Sequence, residues 1–287
     1  MKPFEYLEPQ SIEEALLLLE QFKGEAKILA GGTDLLVQMK QQKTSPKYLI
    51  DVKNIPGLNS IEFSEERGLD IGSLTTIADL EESPTVRDRY PILYAAGKEL
   101  GTQQVRNIAT VGGNLCNASP AAETAPALIA LGASAKIVSR SKEKVVKLED
   151  FFTGPGETVL KTGELLVQIH IPNVAPNSKG VYFKHAFRRK LETAIVGVAV
   201  LASFNGKGKS LKDLRIVLGA VAPTPKRAIR AEELAKGNRV DGNLLEKVAV
   251  VASEESDPIT DVRATAEYRR EMVKVFVKRG LNEIVDH

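Results

Sequence analysis

Apolar and polar positions change rhythm three times along the chain. The first stretch reads strand, helix, strand, turn, helix, strand: "PFEYLEP" (3–9) is strand-like, and "SIEE" (11–14) is a capping box ahead of the apolar run "ALLLLEQF". "AKILA" (26–30) is a short buried strand that runs into Gly31 and Gly32, after which Thr33 or Asp34 caps a helix "DLLVQMKQ". "KYLIDV" (47–52) is a further strand, and Pro56-Gly57 closes this unit near residue 57.

The second rhythm opens with a hairpin, "SIEFSEERGLDIGS" (60–73), and passes to helices at "TIADLEES" and "PILYAAGKEL". A glycine-asparagine stretch, "TVGGN" (110–114), then precedes a segment that turns helical, "APALIALGA" (125–133). The strand "AKIVS" and two more, "ETVL" and "ELLVQIHIP", finish near Pro172. "PNVAPNSKG" (172–180) is the best boundary along the chain.

Beyond it the pattern is strands and then helices. "VYFKHAF", "AIVGVAVLASF" and "LKDLRIVLGAV" read as antiparallel strands with "NGKGKS" (205–210) as a hairpin turn. Helices follow at "RAEELAKG", "NLLEKVAVVASEE" and "VRATAEYRREMVKVFVKRGLNEI" (262–284), in which Met272, Val275, Phe276 and Val277 face a core. That order predicts an α+β fold rather than a doubly wound sheet, in three segments: 1–57, 58–172 and 178–287.

Composition narrows the function classes. At 287 residues, 43% hydrophobic and 26% charged, the chain is an ordinary globule with about two domains' worth of core. Lysine and arginine exceed the acids by only 39 to 37, so no net field draws it to nucleic acid or anionic membrane. No apolar run approaches the roughly twenty residues of a membrane span, and "MKPFEYLEPQ" lacks the marks of a signal peptide, which points to the cytoplasm. One cysteine, Cys116, excludes an internal disulfide or an iron-sulfur cluster held by this chain alone; as a residue type it reads as a small buried hydrophobe. His170, His185 and His287 show no metal-ligand spacing.

Neither glycine pair fits a Walker or Rossmann fingerprint. Each is open to two readings. It is a tight turn between strand and helix, or it lets backbone N–H groups approach an anion such as a pyrophosphate.

"ILAGGTDLL", "QVRNIATVGGNLCNASPAAETAPALIALGA", "RIVLGAVAPTPKRA" and "DVRATAEYRREMV" together resemble the flavin-binding medium subunit of the molybdenum hydroxylases, the xanthine dehydrogenase and carbon monoxide dehydrogenase family. The likeness runs nearly end to end. It implies a two-subdomain FAD-binding fold of the vanillyl-alcohol-oxidase type plus a C-terminal α+β domain. It also implies that Ala30, Gly31, Gly32, Thr33 and Asp34, with Thr110, Gly112, Gly113 and Asn114, grip the pyrophosphate of FAD. Glu123 stands where relatives usually have aspartate near the adenosine. Leu165 and Leu166 match positions that pack on the cofactor, and Lys184 matches a lysine near the flavin. Taken alone, Glu123 is a solvated helix-start charge, the leucines are core, and Lys184 with Arg188, Arg189 and Lys190 is surface.

The resemblance further implies an oxidoreductase subunit with two partners, a large molybdopterin-binding chain and a small chain with two iron-sulfur clusters. Electrons pass through FAD to NAD, quinone or oxygen, and "FRRKLETA" (187–194) is the candidate acceptor-side loop. The alternatives are a free-standing FAD-dependent reductase or oxidase, and a non-catalytic nucleotide-binding assembly module.

Overall fold

A computed structural model describes residues 1–188, 192–205 and 210–286; the centre of the "NGKGKS" turn, Arg189, Lys190 and His287 lie outside the described residues. Near the N-terminus, β1 (Glu5–Leu7) and β2 (Ala26–Leu29) flank β3 (Tyr48–Asp51) in a parallel sheet. Helix α1 (Ile12–Gln21) connects β1 to β2 and α2 (Leu35–Lys40) connects β2 to β3, because parallel neighbours need a crossover. Ser11 caps α1 by accepting from Glu14 N at 3.1 Å. Glu14 reaches back to the N–H of Gln10 rather than to that of Ser11, so the predicted box is shifted by one residue. At the far end of the sheet the Tyr6 hydroxyl donates to the buried carboxylate of Asp51, which also pairs with Lys53 at 2.5 Å.

The second sheet is antiparallel, in the order β4 (Ile61–Ser64), β5 (Gly68–Gly72), β10 (Leu165–Ile171), β6 (Ser134–Val138), β7 (Glu143–Lys147). Between β5 and β6 run α3 (Ile77–Glu82), α4 (Pro84–Arg89), α5 (Pro91–Lys98), α6 (Gln103–Arg106), α7 (Val111–Cys116) and α8 (Thr124–Ala130). A small ribbon, β8 (Phe152–Gly154) with β9 (Glu157–Thr158), precedes β10; "ETVL" is thus strand only in its first two residues. Helices and sheet share one core in which Ile71, Leu80, Leu93, Leu128 and Phe151 are fully buried. Truncating one such side chain to alanine costs ~2–5 kcal/mol.

The third sheet, β11 (Ser178–His185), β12 (Val196–Phe204), β13 (Leu211–Gly219) and β14 (Lys226–Arg227), is also antiparallel. On it lie α9 (Ile229–Ala235), α10 (Gly242–Glu255) and α11 (Ala266–Asp286), around a core of their own. Phe276 and Val277 are buried as the periodicity predicts and Met272 is partly so, but Val275 is 42% exposed. Helix α11 begins at Ala266, not Val262, because the Asp261 carboxylate accepts from Arg263 N and Ala264 N and holds them in a turn. No helix among the described residues is long and apolar enough to cross a membrane.

Candidate functional site: a cleft between the sheets

A cleft of about 850 Å³ opens between the first two sheets, with Glu192 and Thr193, from the connection between the first two strands of the third sheet, on its wall. That volume lies in the upper part of the ~300–1,000 Å³ range of small-molecule and cofactor sites. Of the residues singled out from sequence, twelve reach it: Ala30, Gly31, Gly32, Thr33, Asp34, Thr110, Gly112, Gly113, Asn114, Glu123, Leu165 and Leu166.

The two glycine stretches build their sides of the cleft differently. After β2 the chain turns through Gly32 in the left-handed region (φ +74), and Gly31 lies against the backbone of Ile108 so closely that a Cβ would sit 1.9 Å from its carbonyl oxygen. Among the described residues no acceptor meets the amide N–H groups of Gly31, Gly32, Thr33 or Asp34. Successive free amides at a turn into a helix can together receive an anion, and these four lie on residues of the cleft wall. Neither Thr33 nor Asp34 caps α2: Asp34 is at the N-cap position with helical backbone angles and makes no side-chain cap bond.

The second stretch is not a turn ahead of a helix. Gly112 and Gly113 lie inside α7, whose N-cap Thr110 accepts from Gly113 N at 3.0 Å. Its amides are already used, Val111 on Thr75 O, Gly112 on Ser73 O and Asn114 on Thr110 O. It therefore offers the cleft side chains instead. The Thr110 hydroxyl keeps its proton to donate, and the Asn114 Oδ1 accepts from Thr124 Oγ1 at 2.6 Å, leaving its amide nitrogen as a donor. Gln38 Nε2 donates to Asn117 Oδ1 at 3.3 Å and links α2 to the end of α7.

Glu123 enters the cleft at the start of α8. Burial raises its pKa, and Lys184 opposes that by an ion pair at 2.9 Å. Lys184 lies behind Glu123 rather than on the cleft wall; only 5% of its side chain is exposed, and it also donates to Glu99 O at 2.8 Å. It is therefore not a surface lysine. Burial also raises the Asp34 pKa, and the Asp34 charge adds to the push on Glu123, so both carboxylates share one space. Leu165 and Leu166 begin β10, where the pairing with β6 shifts register just beyond them.

Cys116 is a correction: it is exposed on the cleft wall, because the helical turn of α7 aims it away from the core. The protein around it nonetheless pushes the thiol up to about 12. Sequence reasoning also missed Leu100 and Gly101 in the α5–α6 connection and Val105 in α6, which line the cleft and carry no local signal for it. Among the described residues no three His, Cys, Asp or Glu side chains gather as a metal site.

Known proteins of the same build show the family to which the chain belongs. Residues 2–174 match the family model described as the FAD binding domain in molybdopterin dehydrogenase, and residues 181–284 match the CO dehydrogenase flavoprotein C-terminal domain. The chain belongs to the FAD-binding medium subunits of the molybdenum hydroxylase family. It is 34% identical to the glyceraldehyde dehydrogenase medium chain of Sulfolobus acidocaldarius, over 98% of each chain. It is 31% identical to the xanthine dehydrogenase FAD-binding subunit of Escherichia coli O157:H7, over 98% of this chain and 95% of that one. The structure of carbon monoxide dehydrogenase from Hydrogenophaga pseudoflava superimposes with a TM-score of 0.94 at 34% identity, covering 98% of this chain and 96% of that chain. Like its relatives, this medium subunit is an α+β oxidoreductase component whose cofactor is FAD. Its residues fit that group: the free amides suit a pyrophosphate, and the space at Gly31 is too close to backbone for any side chain.

Proposed function

We propose that this chain is an electron-relay subunit, which receives electrons from iron-sulfur clusters on a small partner and passes them to NAD, quinone or oxygen. A large molybdopterin-binding partner oxidises the organic substrate, and the complex works in the cytoplasm. FAD, when bound, supplies the chemistry that joins one-electron carriers to a two-electron acceptor. The observation that carries the reading is the row of four unpaired amides at residues 31–34, in a cleft whose wall also includes Thr110 and Asn114.

In this reading the amides of Gly31 to Asp34 hold the pyrophosphate, with Ala30 leading into the turn. Thr110 and Asn114 donate from the opposite wall, and Gly112 and Gly113 keep α7 slim enough to approach. Glu123 accepts from hydroxyls of the adenosine part, and Lys184 fixes its orientation and opposes the upward push of burial on its pKa. Leu165 and Leu166 press on the cofactor and exclude water. Residues 1–57 and 58–172 act as the two clasping units, with 178–287 as the domain that closes the cleft.

The test is a pair of titrations on the flavin-free protein. FAD should bind tightly and FMN at least about a hundredfold more weakly, since FMN lacks the second phosphate and the adenosine, each held by charge-assisted hydrogen bonds. Equal dissociation constants would remove the pyrophosphate assignment. Coexpression with genes for a molybdopterin-type chain and a cluster-bearing chain should yield one complex; full activity from this chain alone would refute the relay.

A further inference from the structure

The motif "DVRATAEYRREMV" (261–273) reaches no part of the cleft wall, yet its Arg269 holds the segment that leads to Thr193 on that wall and a second segment that meets Pro120 beside it. Arg269 is 2% exposed. Its guanidinium donates to Ile195 O at 2.7 Å and Ala220 O at 3.1 Å, and pairs with Asp261 Oδ1 at 2.7 Å. Asp261 is itself fixed, since its oxygens also accept from Arg263 N, Ala264 N and the Arg263 guanidinium.

Both carbonyls belong to backbone that bears on the cleft. Ile195 follows Thr193 by two residues, and its N–H donates to His185 O at 2.8 Å, closing the base of the β11–β12 connection. The Tyr268 hydroxyl meets His185 Nε2 at 3.0 Å, so adjacent residues of α11 hold both roots of that connection. Ala220 is an alanine in the left-handed region (φ +62), a conformation that persists only where neighbours enforce it. Here its N–H donates to Pro120 O at 2.7 Å, and Pro120 lies between Ser119 and Ala121 on the cleft wall. One buried guanidinium thus joins α11, the approach to Thr193 and the wall at 119–121. A lysine has the charge but not the planar fork that reaches two carbonyls and a carboxylate together.

We propose that Arg269 is a positioning residue for the cofactor: through Ile195 O it fixes the approach to Thr193, and through Ala220 O the stretch of cleft wall at Ser119 and Ala121. The inference rests on the reading that FAD occupies the cleft with residues 178–287 closing it, and it takes the flavin ring to be the part they cover. Arg269→Lys and Asp261→Asn each loosen the clamp while keeping its size. The assay titrates the flavin-free full chain with FAD and, separately, with ADP, which shares the adenosine and pyrophosphate but lacks the ring. Circular dichroism and a melting curve check that each variant is folded.

Both variants should lose about tenfold or more in FAD affinity, as expected for weakened hydrogen bonds to a charged group, with ADP affinity within about twofold of wild type. Equal losses for the two ligands in a folded variant would make Arg269 a general structural residue and overturn the proposal, as would unchanged FAD affinity in both. If Arg269→Lys does not fold, the FAD-to-ADP ratio of Asp261→Asn decides by the same criteria. The wild-type titration separates the two layers: wild-type protein that binds ADP and FAD alike removes the underlying reading, whereas a normal ratio in the variants removes only the role of Arg269.

Discussion

Replacing Gly31 with alanine tests the cleft at its tightest point. The backbone angle there is open to any residue, so the effect comes from contact alone. The added Cβ would lie 1.9 Å from Ile108 O, 2.8 Å from Ile108 C and 3.0 Å from Ala109 Cα, all backbone atoms that cannot rotate away. Carbon and a carbonyl oxygen approach to no less than about 3.3 Å, so the loop must retreat by about 1.4 Å. Overpacking of that kind costs ~1–3 kcal/mol of stability. It also carries the amides of residues 31–34 away from their ligand, and weakening even one charge-assisted hydrogen bond, at ~1.5–3 kcal/mol, is about ten- to a hundredfold in Kd. The assay is quenching of flavin fluorescence on titrating flavin-free protein, beside a thermal melt of the same sample. Gly57→Ala is the control: it forces alanine to φ +81 with nothing within 4 Å, away from the cleft. It should lower the melting temperature through backbone strain and leave FAD affinity alone. Wild-type FAD affinity in Gly31→Ala would show that the loop holds no part of the cofactor.

Three further outcomes follow from charges and thiols. Lys184→Met should destabilise the protein by ~3 kcal/mol by stranding the Glu123 carboxylate, and adding Glu123→Gln should restore part of it; additivity within ~0.5 kcal/mol in that double-mutant cycle would refute the coupling. At Asp51 burial raises the pKa, but bonds from Lys53 and Tyr6 outweigh it and the net shift is downward, while Tyr6 is pushed up to about 12, chiefly by its bond to Asp51. The pair therefore stabilises the fold above the ordinary aspartate range and loses that contribution as pH falls through the lowered value, and again as pH rises from about 10 through about 12. Tyr6→Phe should cost stability at pH 7 and little at pH 2; a gap independent of pH in urea melts would contradict this. Cys116, with its thiol pushed up to about 12, should react with a disulfide reagent at pH 8 at least about tenfold more slowly than a small free thiol, since the loss of thiolate outweighs the greater nucleophilicity of a more basic sulfur. Reaction at the free-thiol rate would refute that environment.

What the chain discloses by itself is the part set by local pattern. The apolar runs of β12 and β13, the Ser11 cap and the strand-then-helix order of the third segment are all visible in the local pattern of residues. Local pattern fails where distant groups supply the partner. Glycine disfavours helix, yet α7 forms because Thr110 caps it and Ser73 and Thr75 accept its first amides. Two Gly-Gly pairs look alike in sequence, and only the fold shows that one row of amides is free and the other engaged. Lys184 reads as surface until β11 brings it behind Glu123, and the start of α11 depends on an aspartate turn that periodicity does not register.

The cleft draws its walls from the first two sheets and from the connection between β11 and β12, so whatever fills it acts as a staple among stretches far apart in the chain. A ligand that binds only the assembled form stabilises it by mass action, ~2.7 kcal/mol at a free concentration a hundred times its Kd. Flavin supply then becomes a determinant of protein amount as well as of redox competence. A cell short of riboflavin holds this chain in a looser, more readily degraded form before any electron is misrouted.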